Sequence, residues 1–133
     1  MFLWPARVYW EDTDAGGVVY HASYLRFLER ARTEWLRAHG IVQSQVRAES
    51  GLVFALANIN INYRRAARLD DQLVVSCEAE LDGGASMNFN QSIWRGREAG
   101  ELLIDATVRA VCVDAASFKP RRLPDALRGL IDT

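Results

Sequence analysis

The hydrophobic positions of this chain fall first at helical and then at strand spacing. Between Ala22 and His39, Tyr24, Phe27, Leu28, Ala31 and Trp35 form one stripe, which Leu25 and Leu36 widen. Arg26, Arg30, Thr33, Glu34 and Arg37 take much of the other side, with Arg30 and Glu34 spaced to pair one turn apart. Ser23 reads as the N-cap and Gly40 as the stop. Such a helix spans roughly 25 Å at ~1.5 Å per residue, enough to cross a small domain.

Beyond a polar connection the period becomes two. Val53, Ala55, Ala57, Ile59, Ile61 and Tyr63 read as one apolar face; the opposite face opens with Leu52, Phe54 and Leu56 and continues with Asn58, Asn60 and Asn62. That pattern predicts burial on both sides in the first half and on one side in the second. Asn58, Asn60 and Asn62 suit an edge, a solvent face or a subunit contact. Further alternating runs follow at Leu73–Leu81, Met87–Ile93 and Leu102–Cys112, with Asp82-Gly83-Gly84 as a hairpin signal. A short strand is also predicted at Arg7–Glu11. The order β-α-β-β-β-β, with four consecutive strands at hairpin spacing, predicts an antiparallel sheet covered by one helix, an α+β fold.

Composition adds bounds. With 133 residues, half of them hydrophobic, residues 1–133 are expected to form a single domain with one core. A net charge of −1 gives no field that would draw the chain to nucleic acid or to anionic lipid. The N-terminus lacks the pattern of a secretory signal, and no run approaches the ~18 apolar residues of a membrane span. Cys77 and Cys112 fall at apolar strand positions without metal spacing and read as reduced core thiols, which favours a cytoplasmic setting.

Chemistry concentrates in Glu11-Asp12-Thr13-Asp14-Ala15-Gly16-Gly17-Val18-Val19-Tyr20-His21. Two acids enter a paired-glycine turn, and the turn leads to a His at the start of the helix. His21 and His39 lie at opposite ends of that helix, and no His/Cys/Asp cluster has zinc spacing. There is no nucleophile elbow, P-loop or dinucleotide fingerprint. What remains is a carboxylate, Asp14, beside small residues and the unpaired amides of a helix start. Such amides can donate to an oxyanion, and a nearby carboxylate can attack a carbonyl or deprotonate water. The same residues equally suit a turn-shaping and helix-capping role.

The run from Arg7 to Tyr24, with Phe27-Leu28-Glu29-Arg30-Ala31-Arg32-Thr33-Glu34, resembles the YbgC branch of the 4-hydroxybenzoyl-CoA thioesterase family. The likeness continues at Tyr63, Ala67-Arg68-Leu69-Asp70-Asp71, Val111-Cys112-Val113-Asp114, Lys119-Pro120-Arg121 and Leu123-Pro124. One departure is Ala66, where the family usually has Pro. The resemblance implies the hotdog fold, an antiparallel sheet wrapped around one long helix, and homodimers or homotetramers with active sites between subunits. It implies an acyl-CoA thioesterase that favours short acyl groups and uses no cofactor or metal. Asp14 would be the nucleophile or general base, an amide at or near His21 the oxyanion donor, and His21 a further catalytic residue. Tyr20 and Gly17 would line the site. Arg64, Arg65, Arg68 and Lys119, with Arg121 and Arg122, are the candidate phosphate anchors, since Arg grips phosphate with two N–H groups. Glu29 reads as a surface or salt-bridging acid.

For the branch, the resemblance further implies acyl carrier protein as a partner and a link to the Tol-Pal envelope system, at the inner face of the membrane. Two competing readings are a hotdog dehydratase, which would leave the thioester intact, and a carrier-protein-binding or envelope-complex subunit with little turnover.

Overall fold

Five antiparallel strands in the order β1-β3-β4-β5-β2 make up the sheet of the computed structural model, which describes residues 1–132. The strands are β1 (Phe2–Arg7), β2 (Leu52–Tyr63), β3 (Gln72–Asp82), β4 (Ser86–Arg95) and β5 (Glu101–Asp114). The helices are α1 (Ser23–Ala38), α2 (Gln43–Ser50) and α3 (Asp125–Asp132). Helix α1 lies on one face of the sheet, the arrangement expected of a hotdog fold. Its stripe of Tyr24, Phe27, Leu28, Ala31, Trp35 and Leu36 is buried, whereas Leu25 stays partly in solvent. Two apolar clusters share the core, one around Phe27, Leu28, Leu73 and Ile104, the other around Trp35, Met87, Phe89 and Leu127. Gly40, at φ +82°, ends the α1 segment as expected.

Several local expectations are corrected. The strand expected at Arg7–Glu11 lies earlier, as β1, and Trp10–Asp12 form a 3-10 turn. Ser23 is not the N-cap. It is the first helical residue, almost fully buried, and its Oγ accepts from Arg26 Nη2 at 2.8 Å. Glu34 pairs with Arg37 at 2.5 Å rather than with Arg30, whose guanidinium lies 6.0 Å from the Phe27 ring centroid. The sequence reading contained neither α2, which buries no residue, nor α3, which anchors through Leu127.

Strand β2 departs most from its pattern. It is not a hairpin partner of β3; it pairs with β5 and forms the opposite edge of the sheet from β1. Leu56 pairs with Ala110 and Asn58 with Arg109, so Ala57 is an extra residue, a β-bulge. The bulge shifts the alternation by one. Paired residues share a face, so Leu52, Phe54, Leu56, Ile59, Ile61 and Tyr63 lie on the side of buried Cys112, Ala110, Val108, Ala106 and Ile104. Val53, Ala55, Asn58, Asn60 and Asn62 face outward. The apparent switch from two apolar faces to one is therefore a change of phase within the strand.

In the middle of the sheet, the β3–β4 ladder is interrupted between Val75↔Ile93 and Glu78↔Asn90. Side chains fill the gap: Ser92 N–H donates to Ser76 Oγ (2.9 Å) and Gln91 Nε2 donates to the Ser76 carbonyl (3.3 Å). Gln91 Nε2 also reaches the Leu28 carbonyl on α1 at 3.0 Å, tying helix to sheet. Cys77 and Cys112 are buried free thiols, and burial pushes the Cys77 thiol up to about 12.

Candidate active site

The motif before α1 folds as a small hairpin. Tyr20 N–H donates to the Asp12 carbonyl (2.8 Å), Thr13 and Val19 form a bridge, and Asp14 N–H donates to the Val18 carbonyl (2.9 Å). Gly17 N–H closes the turn on the Asp14 carbonyl at 3.1 Å. Gly17 has φ +80°, a conformation that disfavours a side chain, which explains one glycine of the pair. Gly16 has another reason: a Cβ there would stand 3.1 Å from Asp14 Oδ1.

The two acids have different surroundings. Asp12 is buried, accepts the Tyr9 N–H at 2.8 Å and lies 4.0 Å from Arg26, so it braces the hairpin. Asp14 is exposed. Its Oδ1 accepts the Gly16 N–H at 2.8 Å, while Oδ2 has no hydrogen bond among the described residues. One oxygen therefore fixes the carboxylate and the other stays open. His21, also exposed, leads into α1, and its ring lies 4.4 Å from that of Tyr20. The N–H groups of His21 and Ala22 make no backbone hydrogen bond among the described residues, so the helix start offers two donors beside its positive dipole end.

Two tyrosines position this helix start. Tyr24 is buried, and its Oη accepts the Ala67 N–H at 2.9 Å. Tyr63, at the end of β2, donates from Oη to the His21 carbonyl at 3.0 Å and meets Tyr24 edge to face. The sequence places Tyr63 on an apolar strand face and in the resemblance, without a role at the helix start. Its role depends on β2 folding back beside α1, a long-range contact that local pattern does not show.

A cavity of about 340 Å³ opens here, lined by Val19, His21, Tyr24, Tyr63, Arg64, Arg65 and Ala66. The structure thus brings His21 together with Arg64 and Arg65. Arg64 is paired with Asp105, which also accepts from Asn62 at 2.7 Å, and Arg65 lies 3.6 Å from Glu101. The Arg64 hydrogen bond, with help from Asn62, holds the Asp105 carboxyl below its ordinary range. Arg68 bridges through its backbone to Val18, beside the turn. Lys119 is placed elsewhere within one chain. Its carbonyl accepts the Asp114 N–H at the end of β5 that pairs with Leu52, whereas Tyr63 pairs with Ile104 near the start of β5. Ten residues of strand separate those ends, roughly 33 Å. Arg121 and Arg122 share that remote end, paired with Asp114 and Asp125.

Comparison with known proteins bears on the whole chain. Residues 8–131 match the model of the thioesterase-like superfamily. The chain is 47% identical over 127 residues to the acyl-CoA thioester hydrolase YbgC of Escherichia coli, covering 96% of this chain and 92% of that protein. Among solved structures, a probable thioesterase from Bartonella henselae shares 37% identity, with a TM-score of 0.84 over 92% of this chain and 98% of that one. A 1,4-dihydroxy-2-naphthoyl-CoA thioesterase from Synechocystis, at 24% identity, has the same fold, with a TM-score of 0.90 over 98% of this chain and 95% of the other. The likeness spans the Asp14 turn, the helix start and the sheet together, and the chain belongs to the thioesterase-like superfamily, in its YbgC-type branch, with the hotdog fold.

Proposed function

We propose that the chain hydrolyses acyl-CoA thioesters, short aliphatic acyl groups foremost, to a free acid and a thiol. The observation that carries this reading is the Asp14 turn: one carboxylate oxygen held by Gly16 N–H and the other open, on a hairpin that ends at unpaired helix-start amides. The 47% identity to an acyl-CoA thioester hydrolase supports the substrate class. In this mechanism the N–H of His21 or Ala22 donates to the thioester oxygen as its negative charge grows, and one such donor can be worth ~3–4 kcal/mol in the transition state. The open oxygen of Asp14 either attacks the carbonyl carbon, giving a mixed anhydride that water then opens, or takes a proton from the attacking water. In both routes the carbon–sulfur bond breaks and the thiolate leaves, then takes up a proton. His21 and Tyr20 flank the helix start, where they orient water or the thioester. Gly17 lets the substrate approach the backbone.

Arg64, Arg65 and Arg68 supply positive charge for the coenzyme phosphates. Lys119 joins them only from a second subunit. The outer edge of β2 is twelve residues long and unpaired in one chain, and Leu56 and Tyr63 on it are about half exposed. Such an edge invites strand pairing. Antiparallel pairing of β2 with a second copy gives a homodimer, the unit from which a homotetramer builds. No helix among the described residues is long and apolar enough to cross a membrane. The roles of acyl carrier protein and the Tol-Pal system, and a place at the inner membrane face, rest on resemblance to the YbgC branch alone.

The test is thiol release from a panel of acyl-CoA thioesters from short aliphatic to long-chain and aromatic. Turnover highest on the short members supports the reading. Absence of turnover on CoA thioesters and on acyl carrier protein thioesters alike overturns it in favour of a binding module. An enoyl product with the thioester intact would instead mark a dehydratase.

A further inference from the structure

A second cavity, of about 250 Å³, lies between α1 and the inner face of the sheet, and the function proposed above leaves it unused. Its walls are apolar, from Leu36, Phe54, Leu56, Met87 and Phe89. Its polar lining comes from Glu29, Arg32, Thr33 and Gln43. Three of these four need no ligand: Gln43 donates to Thr33 Oγ1 at 3.4 Å, and Glu29 is exposed to water on α1. Arg32 differs. It is half-buried, and its one hydrogen bond among the described residues runs from Nη1 to the neutral Oε1 of Gln91 at 3.1 Å.

Among the described residues no carboxylate lies within ion-pair distance of Arg32, although seven of their nine ion pairs join other arginines to acids at 3.6 Å or less. Gln91 cannot turn away, because its Nε2 is bound to the Leu28 and Ser76 carbonyls. Among the described residues the guanidinium makes only that hydrogen bond, which leaves most of its five donors without a protein acceptor. Burial lowers its pKa from its high ordinary value, and the neighbouring Cys77 and then Glu29 oppose that shift. A guanidinium stays charged in proteins, and a charge removed from water is costly until paired.

We propose that this cleft binds an amphiphilic carboxylate, with the acid head on the free fork of Arg32 and the aliphatic tail along Phe54, Leu56, Met87 and Phe89. The fork matches a carboxylate bidentately, and the apolar walls match a hydrocarbon chain. Glu29 repels an anion less than Arg32 attracts it, because Glu29 lies in water where its charge is screened. The inference deepens the thioesterase reading, since hydrolysis releases such an acid, but binding needs no turnover, so the two ideas fail separately.

The experiment is calorimetric titration of the 133-residue chain with octanoate and with its neutral isostere octanamide. Octanoate is expected to bind at least about tenfold tighter than octanamide, a difference of ~1.4 kcal/mol. Arg32→Met removes that preference and Arg32→Lys keeps part of it, while Asp14→Asn leaves it unchanged. Equal binding of acid and amide by the wild type, or no binding of octanoate, overturns the proposal without depending on any variant folding. An octanoate preference that survives Arg32→Met, or that disappears in Asp14→Asn, also overturns it by placing the acid elsewhere.

Discussion

Replacing Tyr63 by Phe removes one oxygen and leaves the ring that packs on Tyr24. The lost bond runs from Tyr63 Oη to the His21 carbonyl at 3.0 Å. That carbonyl belongs to the planar peptide that carries the Ala22 N–H, so the tyrosine fixes the direction of one candidate oxyanion donor. A net hydrogen bond contributes about 0.5–1.5 kcal/mol, and Tyr63 is 48% exposed, so the lower part of that range applies to stability. The melting temperature should fall by roughly 2–4 °C for a loss of about 0.5–1 kcal/mol. If the same energy holds the donor in line at the transition state, kcat falls by about 2–5-fold. KM should stay constant, because the bond positions an amide used at the transition state rather than one that holds the ground state. The assay is steady-state hydrolysis of a short acyl-CoA beside a thermal melt. A lowered melting temperature with unchanged kcat would refute the reasoning and leave Tyr63 as a packing residue.

Two further outcomes follow from the fold. Deleting Ala57 should leave a folded protein, because the pairs Leu56–Ala110 and Asn58–Arg109 are kept and the face of every later residue is preserved; a cost of about 1–3 kcal/mol is expected, and an unfolded deletion protein by circular dichroism would contradict the bulge. Asp105 has a folded pKa depressed by Arg64 and Asn62, so its contribution is present above the unfolded value of 3.8 and is lost as pH falls through the lower folded value. Melts from pH 6 down to pH 2 should therefore show a shallower acid decline for Asp105→Asn than for wild type, and parallel curves would contradict the pairing.

How legible the molecule was in its sequence depended on the range of each interaction. The stripe from Tyr24 to Leu36 predicted α1 almost to the residue, because one helix face supplies much of the core and period alone reveals it. The runs that became β3, β4 and β5 were equally plain. Strand β2 was visible as a strand but wrong in phase and partner, since a bulge at an alanine carries no local signal and pairing with β5 spans some fifty residues. The Asp14 turn was legible through Gly16 and Gly17, and the structure adds why each is glycine. The sequence and its resemblance pointed to Asp14, but the bracing role of Asp12 was not legible, because it rests on burial. Tyr63 and the Arg32–Gln91 bond were hidden for the same reason: each joins a helix to a distant strand.

The central claim is that the open oxygen of Asp14 performs the chemistry, and Asp14→Asn tests it most directly. The substitution keeps the shape and an acceptor for the Gly16 N–H while removing charge and basicity. Hydrolysis of a short acyl-CoA by the folded variant, checked by circular dichroism, is predicted to fall by roughly 10²–10⁴-fold in kcat. Turnover within about threefold of wild type, well under 1 kcal/mol in barrier, would contradict the account.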